Sequence, residues 1–469
     1  MSLPLPISPS PPPLKTLLLI FLISLALRFW NLGQFNQLVF DEVYYAKFAN
    51  NYLTGTHFFN VHPPLSQYLI AIGIWLASHF PADADITNNL TGSLRSTISY
   101  RWLNALTGSF IPIIVGLIAY QLTYRRNYTI IAALFAACEG LFLVESRYAL
   151  NNIYLVFFGL LGQLYFLISI NKNKIIYLTI SGLCFGLSAS VKWNGLGFLL
   201  GIYLLIFIAW QKKLVDKYLN WVSKNRSNSL INDPDNPNFW SRITNIQPAL
   251  LIFNLTIVPI FIYSLLWLPH LLINPEYDFF EVHQKSWSFH QRLGNNSEVH
   301  PYCSPWYTWV LMIRPMAYFY KTKQTEVGKI IYDVHGMGNP LLWWLSTAAI
   351  FSLLFLIIIQ FFKQHKWNNQ NNYLYSFILI NYASNLLPWI GVSRCTFIYY
   401  YMGSYIFSWL ALAWIVNLFL ASQNRLYRRV GITIIILAIL AFIFWMPIYL
   451  GMPLSQFGFN LRMFLPNWI

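Results

Sequence analysis

Charge is what this sequence has least of. Only 10% of its 469 residues are charged, while 57% are hydrophobic; an ordinary soluble domain carries about 25% charge. A set of soluble domains is excluded, because a soluble core of this length has no use for so much apolar surface. Acids are the scarcer sign, 15 against 30 Lys and Arg. The bases lie in short loops and not on one soluble face, so no nucleic-acid partner is expected. The cysteines are Cys138, Cys184, Cys303 and Cys395, with no C-x-x-C pair, which argues against a zinc site. The first 13 residues hold six prolines and no charge, and read as a disordered tail. The run after them lacks the small-residue cleavage site of a signal peptide, since Arg28 and bulky aromatics stand there, so an uncleaved first span is expected. Nucleotide-binding patterns and internal repeats are also missing.

What is present is a series of apolar runs, and a bilayer core takes roughly 20 apolar residues to cross. Eleven can be drawn, at about 14–32, 101–122, 128–145, 148–170, 175–191, 194–210, 248–270, 341–362, 373–391, 397–420 and 430–450. They are unbroken and lack the alternation of a membrane barrel, so helices are the expected spans. The run 65–80, "LSQYLIAIGIWLASHF", is slightly short and reads as interfacial or re-entrant. With the N-terminus in the cytoplasm, the inner segments carry a net +13 and the outer ones +3, as the positive-inside rule requires. Counting 65–80 as a crossing would put the basic clusters outside. The expected organisation is a cytoplasmic tail 1–13, a membrane domain 14–450 with outer loops 33–100 and 271–340, and an outer tail 451–469.

The first outer loop opens on two adjacent acids, Asp41 and Glu42, with His62-Pro63-Pro64 some twenty residues on. Further charges sit at the outer ends of other spans: Arg101, Glu145, Arg147, Lys192 and Arg394. Each has a plain explanation. A lone Arg or Lys at a span end snorkels to water, Asp41 suits a helix N-cap, and His62 suits a turn. Together, however, they put acids and cations at one depth, the outer headgroup plane, where a phosphate-bearing lipid presents its polar group.

The stretch "FDEVYYAKFANNYLTGTHFFNVHPPLSQYL" at 40–69 resembles the first outer loop of the protein O-mannosyltransferases. The resemblance continues through "RWLNALTGS" at 101–109, "ESRYALNNIYLVFF" at 145–158, "KWNGLGF" at 192–198, "HPYCSPWYTWVLMIRPMAYFY" at 300–320, "GMGNPLLWW" at 336–344 and "SRCTFIYYY" at 393–401. It implies an all-α integral membrane glycosyltransferase of the multi-span GT-C type, with about eleven spans and the N-terminus inside. It implies a polyprenyl-phosphate-mannose donor, an acceptor protein or peptide, surrounding membrane lipids, and an active site on the outer face of the cell membrane. Two departures stand out. The family often has Gly-Lys where this chain has Ser66-Gln67, and residues 271–340 are too few for the β-trefoil of eukaryotic members, which points to the bacterial branch.

Mannosyl phosphate has a good leaving group, so the reaction needs cations on the phosphate and one base on the acceptor hydroxyl. The resemblance makes Asp41 the base, with Glu42 orienting it or binding acceptor. Arg101, Arg147 and Arg394 are the candidates for the phosphate, since guanidinium forks hold it well. His62, Glu145 and Lys192 complete the donor-side candidates, and His300 and Trp306 are candidates for the acceptor. Other Trp residues, such as Trp343 and Trp344, read as an interface belt. No cofactor is called for. Asp83/Asp85 and Asp233/Asp235 have D-x-D spacing, but a lone D-x-D does not support a divalent metal. The rival readings are a related transferase with a glycolipid acceptor, and a transporter. A transporter buries ionisable groups near the midplane, and here only Glu139 is deep in a run.

Overall fold

The computed structural model describes residues 11–80, 87–222, 238–294, 300–326, 328–362 and 372–469. The D-x-D pairs at 83–85 and 233–235 lie outside them. In chain order the helices are α1 Leu14–Phe29, α2 Glu42–Thr54, α3 Leu65–Ala77, α4 Thr97–Thr123, α5 Arg126–Ala137, α6 Gly140–Arg147, α7 Asn152–Lys172, α8 Ile175–Ala189, α9 Leu196–Val222 and α10 Phe239–Thr244. They continue as α11 Pro248–Ile252, α12 Val258–Ile273, α13 Phe279–Arg292, α14 Trp306–Trp309, α15 Pro340–Phe362, α16 Asn372–Leu386, α17 Met402–Leu420, α18 Arg425–Leu450 and α19 Gln456–Arg462.

Every one of the eleven apolar runs is helical, but they are not eleven equal spans. Among the described residues, seven helices are long and apolar enough to cross a membrane, or eight if the bent pair α5–α6 is one span. Helices α1, α8 and α16 have 16, 15 and 15 residues, so each rises only about 24 Å or less against a core of about 30 Å. The run 128–145 breaks at Cys138–Glu139 with a bend of 57°. The cause is Glu139, whose carboxylate accepts from Phe142 N at 3.0 Å and so caps a new helix inside the run. Helices α11 and α12 join through a π turn at Phe253–Ile257. There Gly182 of α8 lets the chains touch, because a Cβ at that position would stand 1.8 Å from the Asn254 carbonyl oxygen.

The expectation of an all-α chain needs correction. Strands β1 Thr87–Leu90 and β2 Ser93–Ser96 form a small hairpin. A second sheet has the order β3 Met316–Thr325, β4 Gly328–Gly336, β5 Leu454–Ser455. Segments rich in aromatic and β-branched residues, "MAYFYKT" and "KIIYDV", make β3 and β4 good strands.

These strands and loops gather at one end of the helix bundle. Phe35 stacks on Phe319 at 4.0 Å, and Gln34 Nε2 donates to Gly451 O at 2.7 Å. Phe58 N donates to Asn274 Oδ1 at 2.6 Å, and Tyr52 Oη lies 2.6 Å from His270 Nδ1. Tail residues 451–469 join the same end: β5 pairs with β4, Arg314 Nη1 donates to Asn467 O, and the Trp468 indole donates to Met312 O. Helix α3 starts at this end, where Leu65 N donates to Ser190 O. It is followed by the β1–β2 hairpin, which Asn50 of α2 holds through Leu90 O at 2.8 Å. Its 13 residues span about 20 Å, so the chain leaves α3 without having crossed the bundle.

Candidate active site

The site begins at the end of α1. The last carbonyls of a helix have no partner within it, and here Arg147 supplies one. Its Nη1 donates to the carbonyls of Leu27, Arg28 and Trp30 at 3.0, 3.0 and 2.7 Å. The chain then passes Arg101, which does the same for the loop. Its Nη1 donates to Leu32 O and Phe35 O, its Nη2 to Gln37 O and Glu42 Oε2, and its Nε to Glu42 Oε1 at 2.8 Å. All five N–H groups are thereby used. Glu42 is equally committed, accepting from Val39 N at 2.8 Å and Ala149 N at 2.9 Å as well as from the fork.

Arg101 and Glu42 are both 0% exposed and Arg147 is 3% exposed, so none of the three snorkels. Arg101 is not open to a phosphate either, because backbone carbonyls and Glu42 occupy all five of its N–H groups, and both Nη groups of Arg147 turn to the carbonyls of the α1 end and its loop, leaving only a buried Nε without a partner among the described residues. Glu42 likewise presents no free oxygen to an acceptor. These residues build the loop.

What they build is a tight turn. Phe40 has φ 52°, a conformation costly for an aromatic residue, and its ring stacks on Tyr318 at 4.5 Å. Asp41 comes next, at the N-cap position of α2, yet its side chain makes no cap bond. The carboxylate turns instead to the Tyr45 hydroxyl and toward Lys192. It is half-buried. Burial raises its pKa to about 6, and the attraction of Lys192 and the Tyr45 hydrogen bond offset only part of that rise.

Facing Asp41 is a chain of polar contacts. Glu145 accepts from the Tyr318 hydroxyl and from Asn152 Nδ2 at 3.1 Å. Asn152 Oδ1 accepts from Lys192 Nζ at 3.1 Å. The ammonium lies 5.5 and 5.4 Å from the ring centres of Tyr399 and Tyr400. The Arg394 guanidinium lies 5.4 Å from the Tyr400 ring centre. Its Nη1 reaches Cys395 O at 3.1 Å and Tyr400 Oη at 3.5 Å, while its Nε and Nη2 meet no acceptor among the described residues. His62 and His290 stack at 5.6 Å, and His290 Nδ1 is buried without a partner among the described residues. Burial and the nearby cations lower the pKa of both imidazoles, that of His290 to about 4, so both are neutral donors and acceptors at pH 7.

The structure therefore brings together Asp41, His62, Glu145, Lys192 and Arg394. His300 and Trp306 stand outside this group. The His300 ring packs edge-on to Phe397 at 5.0 Å and its Nδ1 accepts from Tyr302 N; Trp306 neighbours Tyr307. Sequence reasoning missed Tyr45, Asn152, His290, Tyr318, Tyr399 and Tyr400. All of these but His290 lie inside motifs visible in the sequence, whereas His290 carries no local signal. Among the described residues, no three His, Cys, Asp or Glu side chains come close enough to hold a metal.

A family model described as dolichyl-phosphate-mannose-protein mannosyltransferase matches residues 18–273. A second, the C-terminal four TMM region of protein-O-mannosyltransferase, matches residues 276–468. The polyprenol-phosphate-mannose–protein mannosyltransferase of Mycolicibacterium smegmatis is 23% identical over 94% of this chain and 90% of its own length. Its counterpart in Mycobacterium tuberculosis is 21% identical over 96% of this chain and 91% of its own length. Among solved structures, the Saccharomyces cerevisiae protein O-mannosyltransferase Pmt1-Pmt2 complex bound to the sugar donor superposes with a TM-score of 0.77 at 15% identity, covering 97% of this chain and 92% of that one. The Archaeoglobus fulgidus oligosaccharyltransferase superposes with a TM-score of 0.52 at 15% identity, covering 93% of this chain and 53% of that one.

Proposed function

This chain belongs to the dolichyl-phosphate-mannose-protein mannosyltransferase family, and on that footing we propose that it moves mannose from a polyprenyl-phosphate-mannose donor to Ser or Thr hydroxyls of proteins at the outer face of the cell membrane. The observation that carries the mechanism is one unspent carboxylate, Asp41, within electrostatic reach of Lys192 and on the same wall as Arg394. The acceptor oxygen attacks the anomeric carbon and Asp41 takes its proton. The bond from that carbon to the phosphate oxygen breaks, and the released charge settles on the lipid phosphate. Lys192 and the open edge of Arg394 stabilise that charge, with His62 and His290 as neutral hydrogen-bonding groups beside them. A single displacement inverts the anomeric centre. Glu145, the other carboxylate nearby, is occupied by Tyr318 and Asn152, so the paired acids of a retaining hydrolase are not available.

Purified enzyme in detergent, given radiolabelled polyprenyl-phosphate-mannose and a Ser/Thr-rich peptide, is expected to place label on the peptide. Label found only on lipid would favour a glycolipid acceptor. In the same assay kcat/KM should fall about tenfold per pH unit below pH 6, since a base must be unprotonated to act and the Asp41 pKa is raised to about 6. An acid limb near pH 4 would remove Asp41 from the role.

Eleven crossings, one for each apolar run, and an inward N-terminus are part of this proposal, and the charge count of +13 against +3 supports the orientation. They are supported by the gathering of all three outer segments at one end. Single cysteines at the exposed positions Thr56 and Lys323 should react with an impermeant thiol reagent in intact cells. Cysteines at Lys174 and Gln423, also exposed, should react only after lysis. The reverse pattern would invert the orientation, and labelling of Thr56 without Lys323 would restore α3 as a span.

A further inference from the structure

All four cysteines lie among the described residues. Cys138 and Cys184 are free and buried within the bundle, and Cys303 and Cys395 form a disulfide across 92 residues of sequence. Such bonds persist in oxidising compartments, which accords with an outer location. The bond joins two segments of unlike kind. Cys303 lies between α13 and α14. Cys395 belongs to the six residues between the 3-10 turn Leu387–Gly391 and the 3-10 turn Ile398–Tyr401. That second segment holds Arg394 on one side of the cysteine and leads into Tyr399 and Tyr400 on the other.

We propose that the Cys303–Cys395 disulfide is a positioning device for the donor phosphate: it fixes the backbone from which Arg394 reaches into the site. The proposal rests on the reading of Arg394 as a phosphate ligand. Its support is local. Beside the disulfide, Cys395 N donates to Gly294 O at 2.8 Å, Ser304 N donates to Thr396 O at 2.8 Å, and Thr396 Oγ1 donates to Ser304 O at 2.7 Å. The Trp309 indole, 1% exposed, donates to Ser304 O at 3.0 Å and so anchors the knot to the core. Arg394 itself is held weakly, by two Nη1 contacts of which one is to the carbonyl of Cys395. Its placement is therefore inherited from its neighbour. The helices α15 and α16 have their own packing, since both lie against α17. What the bond constrains is the short segment 392–397. A shift of about 1 Å in a binding group can cost 10²-fold in rate, so a covalent tie beside Arg394 is well placed to matter.

The test is a cycle of variants read by steady-state kinetics with polyprenyl-phosphate-mannose and peptide. Cys303→Ser/Cys395→Ser should raise the donor KM about tenfold while the peptide KM stays within about twofold. Dithiothreitol treatment of the folded wild-type enzyme should do the same, and reoxidation should reverse it, which covers the case in which the serine pair fails to fold. Arg394→Gln should also raise the donor KM, and adding the serine pair to it should change nothing further, because two changes acting through one group are not additive. If disulfide removal leaves the donor KM unchanged, or multiplies it equally in the Arg394→Gln background, or raises both KM values together, the positioning role is overturned. If Arg394→Gln alone leaves the donor KM unaltered, it is the phosphate reading that has failed.

Discussion

Asp41→Asn is expected to lower kcat by 10²–10⁴-fold, the usual worth of a general base, while the protein keeps its native thermal stability. The two halves of that expectation come from different observations. The rate falls because the amide cannot take the acceptor proton. Stability holds because the Asp41 side chain makes no cap bond to α2 and an amide of equal size can still accept from Tyr45. The donor KM should stay level or drop, since the substitution removes a negative charge from the vicinity of Lys192 and of the incoming phosphate. Radiolabel transfer at saturating donor and peptide reads the rate, and a residual activity above about a tenth of wild type would take the base role from Asp41.

Arg101→Lys should behave in the opposite manner. The guanidinium spreads five donors over three carbonyls and both oxygens of Glu42; an ammonium has three and cannot span that set. At least two of those five buried contacts are then lost. Removing one partner of a buried pair costs about 3–5 kcal/mol, and Arg101→Ala should approach that figure. The lysine variant should lose several degrees in thermal unfolding and much of its kcat, because the turn that aims Asp41 loosens, while the donor KM changes little. A lysine variant of native stability whose sole defect is a raised donor KM would mean that Arg101 contacts the phosphate after all.

The contrast between these two residues shows what the sequence could reveal. Membrane spans must be long and apolar, so the helical runs are written plainly in composition. Depth is legible too: Asp41, His62, Lys192 and Arg394 were selected as polar groups at one end of the bundle, and they do converge. The direction in which a side chain faces is not legible. Arg101, Arg147, Lys192 and Arg394 look alike in sequence, each a single cation at a span end. The first two turn to the carbonyls of the α1 end and its loop, and the last two turn to the site, a distinction fixed by backbone that arrives from elsewhere in the chain. The facing of Tyr318, which lies in a visible motif, was illegible for the same reason, and so was the place of His290, since both come from the 271–340 segment, whose fold depends on distant partners. The Cys303–Cys395 bond spans 92 residues and so leaves no local spacing to notice. Glu139 was the one visible sign of the break in the run 128–145. A carboxylate within an apolar stretch reads as a deep charge, and only the amides at the start of α6, which have no partner within the helix, make it a helix cap.

The short strand β5 has a consequence for how the protein is made. Residues 454–455 complete a sheet begun more than a hundred residues earlier, and the tail is then held by the Trp468 indole on Met312 O, by Arg314 on Asn467 O, and by the Arg462 guanidinium on Phe444 O. Translation delivers these residues after α1–α18. Until then β4 has an open edge, and unpaired edges are where nascent chains associate wrongly. Completion of this sheet is thus a late event in biosynthesis, and a chain that ends just after α18 has its helices but leaves β4 without its partner strand.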